Sequence, residues 1–358
     1  MKNLFDDFDP ISSKQWKQKI QFELKGADYN ETLIWNAPED IQVKPFYHKD
    51  AFQGVANLNT KATQFRICQN IFVHDLEKSN LRAIDSINRG AESIRFTIED
   101  EKMELAKLLK NLPLDKITIY FNLSFLSLDF IQKIAVFVKD KNAKIYCNLD
   151  PIGQLAKEGN WFTTKEKTNF DTLNLIATTA PNLSVVSINA GLYQNAGANM
   201  VQQIAYSLAH ANEYFNRITT INQPIVFEVS VGTNYFFEIA KLRALRLLFN
   251  LIAKEYNHNF DCHIIVSPTK RNKTIYEYNV NMLRTTTECM SAILGGANAI
   301  ANLPYDALYH KDNEFGDRIA RNQLLVLKHE SYFDKVNNPA DGSYYIESLT
   351  NQLAEKAL

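Results

Sequence analysis

The side chains best suited to acid–base chemistry lie at or near the ends of strand-like runs. Glu228 falls inside the run Ile225–Val231, and Asp150 directly follows Lys144–Leu149. A carboxylate at the C-terminal end of a barrel strand could carry protons for a hydrolase or an aldolase. A buried Glu228 would be costly unless paired, so a structural ion pair fits it better than a catalytic acid. Tyr193 and Ser230 are further polar groups at strand ends, while Gln194 and Asn195 read as turn and cap residues. On one predicted helix, Tyr235–Tyr256, the residues Glu238, Lys241, Arg243 and Arg246 recur at helical spacing. Ordinary i,i+3 and i,i+4 pairs on a helix surface explain them better than a polar network at a barrel mouth. Arg318 and Arg321 have the fork geometry that suits a phosphate. Packing and salt bridges at the eighth strand–helix unit explain them more simply.

Other chemistries find little support. The seven histidines are scattered, with no HxxxH or HExxH pairing to hold a metal. Cys68, Cys147, Cys262 and Cys289 are far apart, form no CxxC pair and read as reduced, mostly buried thiols. The net charge is −1 and no basic stripe stands out, which argues against a nucleic-acid partner. No apolar run reaches the ~18 residues of a membrane span. The start, MKNLFDDFDP, has no apolar signal core, so the expected location is the cytoplasm. No GxGxxG or P-loop pattern follows any strand-like run.

The elements that must position these side chains follow a regular rhythm. Ser184–Asn189 reads as a buried strand, Ala190–Gly197 as a turn, and the helix after it carries Ile204, Leu208, Ala211 and Phe215 at helical spacing. Neither Gly191 nor Leu192 in that turn can move a proton or polarise a carbonyl. The other strand-like runs are Phe65–Gln69, Ser93–Ile98, Ile117–Phe121, Lys144–Leu149, Ile225–Val231, His263–Ser267 and Ala299–Leu303, each leading into a helical pattern. Eight near-continuous apolar strands, each with a helix, predict a closed (β/α)8 TIM barrel over residues 61–358. Several strands carry small or polar residues where a barrel interior is usually bulky: Ser187, Asn189, Glu228, Ser230 and Ser267. Such an interior suits a barrel derived from one that held a ligand along its axis, or strand ends facing a wet loop region.

Residues 1–60 form an N-terminal arm. Ser12–Gln15 can cap a helix carrying Trp16, Ile20 and Phe22, and two extended pieces, Leu33–Trp35 and Ile41–Tyr47, follow. The arm also holds Phe5 and Phe46, too little apolar surface to fold alone. It must pack on its own barrel or on another chain. The first ~30 residues are expected to reach a partner, with Trp16 and Phe22 as interface anchors.

Four segments resemble the acyl-CoA mutases that depend on adenosylcobalamin. They are Gln194–Ala198 with Ala205–Ala209, Phe236–Ala244, Arg318–Asn322 with Glu330–Ser331, and Asn338–Glu347. Leu24–Asp28, Val43–Tyr47 and Asn281–Glu288 resemble the small subunits of the bacterial methylmalonyl-CoA mutases. Active members of that family place a Tyr-His pair after the fifth barrel strand, where Gly191 and Leu192 stand here. They bind cobalt through a DxHxxG motif in a C-terminal domain, and no histidine here lies in such a motif.

The resemblance therefore implies a non-catalytic subunit with no metal or cofactor of its own. Tyr193, Gln194, Glu228 and Ser230 would line a vestigial pocket, and Arg318 and Arg321 would be CoA or structural contacts. The C-terminal cobalamin-binding domain is expected to be absent. The expected partner is a large subunit that binds adenosylcobalamin and forms a heterodimer with this chain; two copies could pair when it is isolated. The alternative is a competent mutase barrel of altered substrate range, borrowing a cobalamin domain from another chain, with Tyr193 as its nearest candidate donor.

Overall fold

A computed structural model of the chain describes all residues except 1–3, 5, 6 and 57, so Phe5 lies outside the described residues. The chain opens with helices α1 (Ser13–Glu23) and α2 (Tyr29–Leu33) and an antiparallel hairpin, β1 (Trp35–Asn36) with β2 (Gln42–Val43). The barrel strands are β3 (Arg66–Phe72), β4 (Ser93–Ile98), β5 (Thr118–Leu123), β6 (Lys144–Leu149), β7 (Ser184–Ile188), β8 (Val226–Val231), β9 (His263–Pro268) and β10 (Ala299–Ile300). All pair in parallel, and β10 closes on β3. Between and after them run α3 (Leu76–Asn88), α4 (Leu105–Leu108), α5 (Leu128–Val138), α6 (Pro151–Glu158), α7 (Glu166–Thr179), α8 (Ala190–Asn195), α9 (Met200–Arg217), α10 (Tyr235–Glu255), α11 (Val280–Leu294), α12 (Glu314–His329) and α13 (Tyr344–Ala357). The expected TIM barrel is present.

Local chemistry explains the boundaries. Ser127 accepts from Phe130 N to start α5, and Asn199 with Gln202 forms a reciprocal capping box on α9. Asp150 caps α6, whose first residue is Pro151. Phe96 and Phe121 pack between the strands and the helix layer, at the heart of the main core. All four cysteines are free and buried.

Three expectations need correcting. Ala190–Asn195 is helix α8 rather than a turn, because Asn195 Nδ2 donates to the Gly191 carbonyl at 2.7 Å and closes the coil from within. The eighth strand, expected over Ala299–Leu303, is only Ala299–Ile300. Most consequentially, Glu238, Lys241, Arg243 and Arg246 are not on a surface: each is 1% exposed. Helix α10 is covered on successive sides by α9, α11 and α13, so its outer face is interior too.

The arm divides in two. Ala37 and Ile41 are buried, Trp35 lies edge-on to Phe237, Tyr47 packs on Tyr345, and Asp40 pairs with Lys356. Residues beyond about 35 therefore lie on the chain's own barrel and α13. Helix α1 buries no residue, with Trp16 49% and Phe22 80% exposed.

Arg243 supplies the clearest test of the packing. Its guanidinium reaches Asp341 at 2.5 Å and Glu347 at 2.7 Å, tying α10 to α13. Arg243→Met leaves the Glu347 carboxylate buried and unpaired, which should cost about 3–5 kcal/mol in urea unfolding. The double variant Arg243→Met/Glu347→Leu should recover most of that loss.

Candidate functional site

The mouth of the barrel is built by the residues that follow β7, β8 and β9. Gly191 sits at its rim on α8. A Cβ there would lie 2.6 Å from Ser230 Oγ, so position 191 has no room for any side chain. Leu192 is half-buried and brings no polar atom.

Tyr193 turns away from the mouth. Its hydroxyl lies 3.1 Å from His210 Nδ1 on α9, and His210 Nε2 lies 2.8 Å from Asp150. Asp150 also accepts from Tyr214 O–H at 2.6 Å, Asn189 N at 2.8 Å and Gly153 N at 2.8 Å. Burial pushes the Asp150 carboxyl up, but the charge and hydrogen bond of His210, with those of Tyr214 and Asn189, outweigh it and hold the group below the usual carboxylate range. Burial, then the nearby Asp150 charge, pushes the Tyr193 phenol up to about 12. Asp150 is thus a fully engaged cap, and Tyr193 is a poor proton donor at neutral pH.

Gln194 and Asn195 clamp α8 to the loop after β9. Thr269 Oγ1 donates within 2.6 Å of Gln194 Oε1, and Arg271 Nη1 donates to the Gln194 carbonyl at 3.0 Å. Asn195 Nδ2 reaches Ser230 Oγ at 3.3 Å. Beneath them, Lys241 Nζ donates to the Ser230 carbonyl at 2.7 Å and to Gln203 at 2.9 Å, and pairs with Glu238 at 2.5 Å. Glu238 in turn accepts from Gly232 N at 2.7 Å.

The barrel axis is filled by two layers of side chains. In the upper layer, Glu228 on β8 pairs with Arg95 on β4 at 3.0 Å and accepts from Asn122 at 3.1 Å and Asn148 at 3.0 Å. Asn70 orients Arg95 by accepting from its Nε at 2.8 Å, and Ser267 Oγ lies 3.3 Å from Arg95 Nη2. In the lower layer, the Tyr146 ring stacks on Tyr120 at 5.1 Å and on His263 at 4.2 Å. His263 Nε2 meets the Tyr120 hydroxyl at 2.8 Å and Nδ1 meets the Tyr146 hydroxyl at 3.2 Å. Burial, reinforced by the charges of Lys144, Arg246 and Arg66, pushes the His263 imidazole well below its ordinary 6.5 and keeps it neutral.

The remaining candidates lie elsewhere. Arg321 is buried and donates to Gln69 Oε1 at 2.9 Å, while Arg318 is exposed and covers the Phe315 ring at 5.3 Å. Trp16 makes an edge contact with Phe46 at 6.2 Å, and Phe22 lies open on α1. Among the described residues no group of three or more His, Cys, Asp or Glu side chains can hold a metal ion. None of their helices is long and apolar enough to cross a membrane. Sequence reasoning missed Arg95, Asn122, Asn148, Tyr120, Tyr146 and His263. A signal was there: Tyr120-Phe121-Asn122 and Tyr146-Cys147-Asn148 repeat one polar pattern, and alternation puts each Tyr and Asn on the same inward face.

Two expectations follow. Gly191→Ala should destabilise the chain by about 1–3 kcal/mol through the clash with Ser230. In a Ser230→Ala background that cost should vanish, and alanine's better helix propensity should show as a gain of up to ~1 kcal/mol in chemical unfolding. For His263, the unfolded state takes up a proton near 6.5 and the folded state does not, so stability should fall as pH drops below that value. The Asp150 contribution, from a carboxyl held low, is lost only in more acid solution, below its ordinary 3.8. Melting curves between pH 7.5 and 5.5 should therefore show a decline that His263→Gln flattens; an equal slope in both proteins contradicts the neutral buried imidazole.

Comparison with known proteins agrees with the geometry. The methylmalonyl-CoA mutase family model matches residues 97–358. The methylmalonyl-CoA mutase small subunit of Porphyromonas gingivalis is 32% identical, over 99% of this chain and 63% of that protein. The small subunit of Propionibacterium freudenreichii subsp. shermanii is 29% identical, over 99% and 62%. The methylmalonyl-CoA mutase of Rhizobium meliloti is 27% identical, over 96% and 56%. The chain thus spans less than two thirds of the length of these relatives. With a family match across most of the barrel and its closing helix, this chain belongs to the methylmalonyl-CoA mutase family.

Proposed function

We propose that this chain is the non-catalytic small subunit of a heterodimeric methylmalonyl-CoA mutase. In this reading a large subunit binds adenosylcobalamin and interconverts methylmalonyl-CoA and succinyl-CoA by a radical rearrangement. This chain contributes structure and an interface. The observation that carries the reading is the filled axis: two hydrogen-bonded layers, from Arg95–Glu228 down to Tyr120–Tyr146–His263, occupy the space a ligand would need.

The residues at the mouth offer adenosylcobalamin little to hold it. Among the described residues no histidine lines the mouth, position 191 admits no side chain, and Leu192 offers no hydrogen bond to a thioester carbonyl. The arm also covers one side of that face with Trp35, Pro38 and Glu39. The alternative of a competent barrel relied on Tyr193, whose hydroxyl is held by His210 on the far side of α8. The arm supports the interface role, because α1 presents Trp16 and Phe22 to solvent and buries nothing on its own chain.

With adenosylcobalamin supplied, the isolated chain should form no succinyl-CoA. Leu192→His alone should not restore turnover, since a single donor worth ~2.7–4 kcal/mol cannot act at a blocked axis. In the reconstituted complex, Tyr193→Phe should leave turnover within about twofold of wild type. Turnover by the purified chain, or a large loss in Tyr193→Phe, contradicts the reading. Trp16→Ala should weaken association with the large subunit by about 2 kcal/mol while leaving the melting temperature of this chain almost unchanged.

A further inference from the structure

The arm carries a second feature that the interface reading does not by itself explain. Between α1 and the β1–β2 hairpin runs a groove of about 490 Å³. That is in the range of built ligand and peptide pockets. Its origin lies in the hairpin's alternation. Trp35 and Val43, directly paired in register, face the barrel, and Val43 packs on the main core. Asn36 and Gln42, the next pair, therefore face the other way, toward α1.

The groove's floor is apolar and aromatic, built by Tyr29, Ile34, Phe46 and Tyr47. Its rim is basic. Lys14 and Lys17 stand on the α1 side and Lys44 on the hairpin side. Among the described residues no Asp or Glu lines it, and Asp50 at its edge is engaged by Ser13 N and His48. Lys19, one turn away, pairs with Glu23, but among the described residues none of the three rim lysines has a carboxylate within ion-pair reach. Lys17 Nζ instead hangs over the Tyr29 ring at 4.6 Å.

Helix α1 is held to the rest of the chain by little. Ser13 N donates to Asp50 at 2.8 Å, and Trp16 touches Phe46 edge-on. An 11-residue helix with no buried residue is marginal alone, whatever its capping box contributes. A ligand seated in the groove would contact α1 and the hairpin together.

We propose that this groove seats an extended acidic segment of the large subunit, with one or more aromatic or branched apolar side chains on the floor and carboxylates against Lys14, Lys17 and Lys44. The proposal rests on the heterodimer reading above and names the chemistry of the contact. Charge complementarity selects the occupant: an apolar floor takes many segments, but three unpaired lysines, with Asp50 already engaged by Ser13 and His48, favour carboxylates and repel a basic strand.

The test is a titration of the purified large subunit against the full-length chain at two salt concentrations. Lys14→Glu/Lys17→Glu should weaken association at least tenfold and flatten its salt dependence, with Lys14→Arg/Lys17→Arg close to wild type. Glutamates in the first turns of α1 suit the helix dipole, so the melting temperature should hold. Lys133→Glu, on exposed α5 surface, should have little effect. Wild-type binding with unchanged affinity in the double variant overturns the groove and leaves the heterodimer standing. Equal weakening by Lys133→Glu, or tighter binding on charge reversal, also overturns it. Failure of the wild-type chain to bind the large subunit overturns both readings. A homodimer of the isolated chain that the double variant dissolves assigns the groove to a second copy and overturns the partner named here.

Discussion

One ion pair across the axis, Arg95 on β4 with Glu228 on β8, determines what this barrel can hold. A carboxylate in a strand-lined interior is costly unless its lone pairs are met, and here a guanidinium and two amides meet them. Asn148 donates to both Glu228 and Asn122, and Asn70 fixes Arg95, so each member depends on the others. To admit a chain-like ligand along the axis, the layer would have to separate buried charges. The tyrosine and histidine stack beneath it would have to part as well. The small and polar strand residues that look, in sequence, like room for a ligand are the partners of a closed network.

Outside the strands, α10 performs the same kind of task for the frame. Lys241 and Glu238 fix the mouth from below. Arg243 holds α13. Arg246 pairs with Asp261 and donates to the carbonyls of Cys262 and Gly296 at the barrel's opposite end. Three cations on one helix thus join mouth, base and closing helix, each with its charge met. Against that rigid frame α1 buries no residue, which is the arrangement expected of a segment that finishes its packing on another chain.

Much of this was legible from the sequence. Parallel strands covered on both sides give continuous apolar runs, so the eight units and their order could be read directly. The extended piece at Ile41–Tyr47 was legible too, but not that its start pairs with Trp35–Asn36 as a hairpin. Other features were not legible, for physical reasons. Periodicity on α10 shows where Arg243 and Arg246 point but not that α13 lies over the first and the segments at Cys262 and Gly296 over the second. Helix α8 is short and lacks a side-chain cap, so its coil depends on the bond from Asn195 back to Gly191 and on the clamp to Thr269, the second a contact distant in sequence. The axial network joins β3, β4, β5, β6, β8 and β9, and only the repeated Tyr-x-Asn pattern in β5 and β6 hinted at it. That neither Gly191 nor Leu192 can move a proton was plain from residue types; that position 191 is also sterically closed depends on where Ser230 Oγ lies.

The central claim is that the axis of this barrel cannot accept an acyl-CoA. The most direct measurement is the binding stoichiometry of succinyl-CoA to the reconstituted heterodimer, by calorimetric titration. A closed axis in this chain predicts one site per proposed heterodimer, contributed by the large subunit of that reading. Two sites per heterodimer, with the second lost when Glu228 and Arg95 are left intact but the mouth is blocked, would contradict it.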